Sequence, residues 1–165
     1  KGDVQEENKN FPDWIIFFLR EKFLKYSKKF NTSNKIFIDR SDSKFNHCKL
    51  VNNQEVINYL KLKGFQSYKI SELDFFEQIY LFNNADIIIG PHGAAFSNII
   101  FSKTGLDLIE LIPDNHPSIK CKKISEILNF NYQKIQLKYF NKNEFDNGDM
   151  KIEISQLENI LNNKK

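Results

Sequence analysis

The chain lacks most of the short signatures that would assign a chemistry on sight. Its 165 residues contain no GxxxxGK[ST] phosphate loop, no GxGxxG fingerprint and no GxSxG elbow, so P-loop enzymes, ordinary dinucleotide-binding proteins and serine hydrolases have no support. Only two cysteines occur, Cys48 and Cys121, without CxxC spacing or a histidine pattern beside them. No metal cluster or disulfide framework is implied, and a reducing compartment is the simpler expectation. No apolar run approaches the ~20 residues of a bilayer span. The longest early stretch, Trp14 to Leu19, is broken by Arg20-Glu21-Lys22, and Asp3, Glu6 and Glu7 precede it in place of a basic signal-peptide region. There is no block of one charge either: 24 basic and 21 acidic residues are interspersed, with a net charge of +3. That balance gives no basis for nucleic-acid binding but does not oppose a small phosphate-bearing ligand. The chain opens on Lys1 and not Met, and is expected to begin inside a longer protein.

What is present is an alternation of strand-like and helix-like segments. Hydrophobic residues make up 41% and charged residues 27%, enough for one core between a sheet and its helices. Residues 1–10 read as a linker and 11–165 as a single domain, with its core at about 35–137. Apolar spacing predicts a helix from Trp14 to about Phe30. Lys35 to Arg40 reads as a buried strand and 41–49 as a loop. Val56, Ile57 and Leu60 mark a helix that Gly64 can close. Phe65 to Ile70 is a second strand, and Ser71 to Asp74 reads as a capping box opening a helix over roughly 72–83. Ala85 to Ile89 is a strand running into Gly90-Pro91-His92-Gly93 and a helical stretch from Ala94 to Phe101. Strands at Leu106–Ile112 and Tyr132–Leu137 flank a helix near 119–129. The segment 141–150, with Asn141, Asn143, Asn147 and Gly148, reads as a loop, and Ser155 as the cap of a last helix. Such an order requires crossovers, hence an α/β, Rossmann-like, mostly parallel sheet with helices on both faces. Ligands of these sheets bind beyond the carboxyl ends of the strands, at Arg40, Ile70, Gly90 and Glu110.

The stretch after Ile89 carries the chemistry. Gly90 and Gly93 can take positive φ and let a ligand approach the backbone, with Pro91 stiffening the turn. Amides of Gly93, Ala94 and Ala95 would open a helix, where free donors and the macrodipole favour a phosphate. His92 can donate to a phosphate oxygen or supply charge to a departing nucleotide. A histidine in such a turn is also a common structural donor. Arg40, one of only two arginines, can clamp a diphosphate with paired donors, or simply end a strand in solvent. Glu110, an acid inside the apolar run Asp107 to Ile112, can accept from ribose hydroxyls, or lie at an exposed strand edge.

Taken in order, Arg40, Lys49-Leu50-Val51-Asn52 with Glu55, Gly64-Phe65, Gln78 with Leu81-Phe82, Ala85 through Ala94, Asn98, Phe101 and Ile109-Glu110-Leu111 resemble glycosyltransferase family 61 over about residues 36–135. That resemblance implies one half of a GT-B fold, holding a nucleotide-sugar donor, UDP-linked, with no other cofactor. It further implies an inverting, metal-independent transfer to a glycan acceptor, in capsular or other surface polysaccharide synthesis, in the cytoplasm or at the inner face of the membrane. The absence of an Asp-x-Asp triplet agrees with metal independence. By position, Arg40 and Lys49 correspond to basic residues facing the diphosphate, and His92, Gly93 and Ala94 to the phosphate-side loop, with Gly90, Ala95 and Asn98 beside it. Glu110 corresponds to the acid of the next strand. Departures are Cys48-Lys49 where the family often has an arginine pair, Asn52-Asn53 where it has Asn-Glu, and Ala95-Phe96-Ser97-Asn98 where it has Gly-Leu-Thr-Asn. A second, N-terminal half would bind the acceptor, and the general base would lie there or be an unassigned residue at the cleft. The other readings are a non-catalytic nucleotide-binding or assembly domain and, with least support, a histidine-based hydrolase using Ser97 or Ser102.

Overall fold

A computed structural model of the chain describes residues 11–42, 48–114, 116–139 and 148–162. The expected linker at 1–10 lies outside these residues, as do 43–47 of the 41–49 loop, Asn115, and Asn141, Asn143 and Asn147 of the 141–150 loop.

Five strands, β1 (Lys35–Asp39), β2 (Gln66–Lys69), β3 (Ile87–Pro91), β4 (Asp107–Pro113) and β5 (Asn131–Leu137), form one sheet in the order β2-β1-β3-β4-β5. Every pairing is parallel, so the sheet is wholly and not just mostly parallel. The three inner strands are apolar and buried on both sides, as a parallel sheet covered on two faces requires.

Alternation along the inner strands divides the core. Ile36, Ile38, Ile88 and Leu108 point to one face, under α1 (Asp13–Phe23), α3 (Phe75–Asn84), a 3-10 helix (Ala94–Phe101) and α4 (Lys120–Leu128). Phe37, Ile89, Ile109 and Leu111 point to the other, under α2 (Asn53–Leu62) and α5 (Ile154–Asn162). Each fully buried Ile or Leu here contributes about 2 kcal/mol by leaving water. The fold is therefore α/β and Rossmann-like. Among the described residues no helix is long and apolar enough to cross a membrane.

Four local expectations are corrected. The first helix ends at Phe23 with a 3-10 turn over Leu24–Tyr26 and does not continue to Phe30. The chain then leaves to hydrogen-bond from Lys28 N–H to Phe76 O, and Phe30 packs from an irregular segment on Tyr68 and Tyr80. Its apolar spacing reflected tertiary contacts, not helix. The capping box belongs to Asp74 and Glu77, not Ser71: Glu77 N–H donates to Asp74 Oδ1 at 2.9 Å and Asp74 N–H to Glu77 Oε2 at 3.1 Å. Ser71 lies in a preceding 3-10 turn, bonded to Asp42. The last helix begins at Ile154 with its first bonds to Glu153 O, which leaves Ser155 inside the first turn and not at the cap. Finally, Gly90 and Gly93 do not take the left-handed φ; among the described glycines that conformation belongs to Gly64 and Gly105. Gly64 closes α2 as expected, with Phe65 N–H bonding to Leu60 O and Gly64 N–H to Lys61 O.

Gly90 is needed for space. A Cβ there would stand 2.8 Å from Ile38 Cβ and 3.1 Å from Ile38 O, so only glycine lets β3 lie this close to β1. Gly90→Ala is expected to force the two central strands apart and destabilise the chain by about 1–3 kcal/mol, read as a lowered urea midpoint.

Candidate functional site

The sheet order reverses between β1 and β3: the chain leaves β1 toward β2 on one side and leaves β3 toward β4 on the other. Their carboxyl ends therefore diverge into a crevice, the usual ligand position of a doubly wound sheet. Arg40 follows β1 and the turn 92–95 follows β3, so the fold brings these two predicted elements together.

Arg40 is half-buried over that turn. Its Nη1 donates to the carbonyl oxygen of His92, and a Cβ on Gly93 would fall within 2.6 Å of Arg40 Nε and Nη1. Gly93 has an extended backbone, φ 167°, so its glycine is required by the guanidinium stacked on it and not by its dihedral. Burial lowers the Arg40 pKa from its ordinary value while Cys48 and Asp42 oppose the shift; an arginine remains charged throughout. Upstream, the Asp39 carboxylate accepts from Ser41 N–H at 2.8 Å and from Asn53 Nδ2 at 2.9 Å, which sets the turn that aims Arg40. Cys48, left-handed at φ 55°, accepts from Arg40, and burial pushes its thiol up to about 11.

His92 is held from below. Its amide donates to Leu111 O at 2.7 Å, and its Nδ1 bonds to Glu110 Oε1. The other Glu110 oxygen accepts from Tyr132 OH at 2.6 Å, and the Cys121 thiol donates to the same carboxylate. Glu110 is only 1% exposed. Burial alone would raise its pKa, but the hydrogen bonds from His92, Tyr132 and Cys121 and the charge of His92 outweigh it and hold the carboxyl below its usual range. Both oxygens are thus engaged inside the sheet. The carboxylate orients His92, and the alternatives of a ribose acceptor or an exposed strand edge do not match this position.

A cleft of about 330 Å³ opens beside Arg40, lined also by Asp39, Asp42, Ser71, Gln78, Ala94, Ala95 and Asn98. Asn98 Nδ2 donates to Gln78 Oε1 at 2.8 Å, and Gln78 in turn donates to Ile70 O and Leu73 O, so Asn98 braces the far wall. The first closed turn of the helix is Phe96 N–H to Gly93 O at 3.0 Å. The Ala94 and Ala95 amides precede it at the cleft rim. Because that helix is 3-10 and not α, its amides matter more than any macrodipole. Across the turn, His92 and Gly93 line a second, largely apolar cavity of about 270 Å³ with Ile15, Leu19 and Phe96. Lys49 is not brought to either cavity: its side chain is exposed and its carbonyl pairs with Met150 N–H.

Sequence reasoning missed Tyr132 and Cys121 as partners of Glu110, and His116, whose ring touches His92. No pattern in the sequence pairs Tyr132 of β5 or Cys121 of α4 with Glu110. His92, Glu110 and Cys121 place ligand-type atoms within 4.8 Å of one another. Burial keeps the Cys121 thiol well above its ordinary pKa and so protonated, and hydrogen bonds already satisfy the carboxylate. The trio is a hydrogen-bonded hub.

Comparison with known proteins fits this geometry. The sequence profile of Glycosyltransferase 61 matches residues 4–109, which include Arg40, the turn 92–95 and Asn98. The chain belongs to glycosyltransferase family 61. Similar curated members are EGF domain-specific O-linked N-acetylglucosamine transferases. The protein of Gallus gallus is 38% identical over 58 residues, 32% of this chain and 11% of that protein. Those of Bos taurus and Mus musculus are 35% identical over 68 residues, 38% of this chain and 13% of each protein. The chain thus spans 11–13% of the length of these family 61 relatives.

Two outcomes are expected of the site. Gly93→Ala should evict the Arg40 guanidinium with little loss of stability, since the clash is with the end of a flexible side chain; a crystal structure of the variant checks it. Glu110, with its pKa lowered by folding, stabilises the native state above about pH 5 and loses that contribution as pH falls below about 4. Glu110→Gln should therefore flatten the acid limb of a stability–pH curve measured by urea unfolding.

Proposed function

We propose that this chain is the donor-binding half of a GT-B glycosyltransferase, transferring sugar from a UDP-linked donor to a glycan acceptor with inversion and without a metal. One observation carries the reading: at the β1/β3 crevice a buried-stem arginine and a carboxylate-backed histidine converge on a single glycine turn. In the reaction, an acceptor oxygen forms a bond to the anomeric carbon as the bond from that carbon to the diphosphate oxygen breaks. The bonding pair leaves with the diphosphate. The Arg40 guanidinium and an N–H donor of the His92 ring offset the charge that develops there, with the Ala94 and Ala95 amides at its rim. The guanidinium and these N–H donors supply what a metal would otherwise provide.

The acceptor hydroxyl loses its proton to a base in the other half of the GT-B pair or to an unassigned residue at the cleft. The free, buried thiols of Cys48 and Cys121 suit a reducing cytoplasm. A surface or capsular polysaccharide made at the inner face of the membrane fits that setting. The relatives' names specify an O-linked N-acetylglucosamine transfer, which makes UDP-N-acetylglucosamine the first donor to try.

Arg40→Ala and His92→Ala are each expected to weaken UDP binding by about tenfold to a hundredfold, the usual loss for a hydrogen bond to a charged group, and EDTA to leave it unchanged. Calorimetry on the chain checks both. Unchanged affinity in both variants would reject the assignment. UDP binding with no transfer by the longer protein would instead support a non-catalytic binding domain.

A further inference from the structure

The first helix, α1, is apolar on both of its sides, although only one side is packed. Ile16 is buried in the core, with Ile15, Phe23 and Leu24 against it, and the Arg20 guanidinium pins the helix by donating to Ile100 O and Ser102 O. That anchoring turns the opposite side to solvent. Trp14 is 64%, Phe17 52% and Phe18 46% exposed, and these positions, at i, i+3 and i+4, form one helical stripe. The stripe continues past the end of the helix. Trp14 meets Phe18 edge to face, Lys22 lies over Phe18 at 5.5 Å, Lys25 lies over Tyr26 at 5.1 Å, and Tyr26 meets Phe76 of α3. Phe75 and Phe76, both exposed, extend the surface. A helix that is hydrophobic all round calls for an apolar neighbour on each side, and an aromatic surface of this kind marks an interaction site.

Charge identifies the missing neighbour. Between Asp13 and Phe30 stand five basic residues, Arg20, Lys22, Lys25, Lys28 and Lys29, against two acidic ones, Asp13 and Glu21. That surplus equals the net +3 of the whole chain. Arg20 is spent on its two carbonyls and Lys28 on Asp74 and Glu77, and Lys22 makes only an exposed pair with Glu21, which holds it weakly. Lys22 and Lys25 therefore stand on the stripe itself, with Lys29 exposed beyond it. Protein interfaces are depleted of lysine, and a second copy of the chain would set one basic surface against another. Residues 1–10 hold Val4 as their one large apolar side chain, too little to cover three aromatic rings. An anionic bilayer suits both features, since aromatic rings settle at the headgroup boundary while lysines reach the lipid phosphates.

We propose that α1 docks this protein on an anionic phospholipid surface, with Trp14, Phe17 and Phe18 entering the headgroup region and Lys22, Lys25 and Lys29 meeting lipid phosphates. Through Ile15, Ile16 and Leu19 the same helix walls the apolar cavity beside His92, so it stands between that cavity and the lipid. Docking is independent of the UDP-dependent transfer proposed above.

Trp14 is the only tryptophan of the chain, so its emission reports this face alone. Vesicles of equal parts phosphatidylglycerol and phosphatidylcholine should shift that emission to the blue and shield Trp14 from acrylamide, whereas phosphatidylcholine vesicles at the same lipid concentration should do neither. In co-sedimentation with the anionic vesicles, Lys22→Gln, Lys25→Gln and Lys29→Gln should each weaken binding by about fivefold, and Phe17→Ser with Phe18→Ser should abolish it. Should the serine variant not fold, the lysine series makes the test alone. Emission unmoved by the anionic vesicles overturns the proposal and assigns the face to a protein partner. A blue shift that needs no lipid and grows with protein concentration overturns it in favour of a second copy. Equal binding to both vesicles, untouched by the lysine substitutions, overturns it as well, because no anionic lipid is then required. UDP binding, whether found or absent, moves none of these readouts.

Discussion

An ionised carboxylate inside a parallel sheet can persist only if both oxygens that leave water find donors, and Glu110 meets that constraint by gathering donors from three elements. His92 comes from the end of β3, Tyr132 from β5 and Cys121 from α4. Removing one partner of such a cluster costs about 3–5 kcal/mol, far more than an exposed ion pair such as Lys151–Glu153 contributes. The same demand that keeps the strands in register thereby fixes the imidazole at the ligand side of the sheet. Stability and the geometry of the turn share one group.

A second constraint is steric. Gly90 permits the approach of β3 to β1, and Gly93 permits the approach of Arg40 to the turn. Both glycines act through missing volume and not through backbone freedom. Together they draw an arginine from one strand and a histidine from the next onto three consecutive residues. The matched family profile, ending at residue 109, takes in both glycines and Arg40, while the groups that steady His92 follow it in the chain.

Much of this architecture was legible in the residues. The strands at 35–39 and 87–91 stand out because fully buried parallel strands are continuous runs of Ile and Phe, and the crossovers between them follow from helix-length spacers. Arg40 and the 90–95 turn were legible because a parallel sheet puts all strand ends on one edge. Glu110 was noticed but misassigned, since sequence shows an acid in an apolar strand without showing that Tyr132 and Cys121 stand beside it. The N-terminal helix was read too long for a similar reason: Phe30 owes its place to Tyr68 and Tyr80, far away in the chain. Lys49 matched by order alone, and order does not decide which way a side chain turns. His116 left no trace because its relation to His92 is a ring contact between two loops.

The turn at 92–95 is a thin partition with a polar cleft on one side and an apolar cavity on the other, Ala94 and Ala95 facing the first and His92 and Gly93 the second. Arg40 rests on that wall through the His92 carbonyl and Gly93, so a substitution in these few residues alters the lining of both spaces at once.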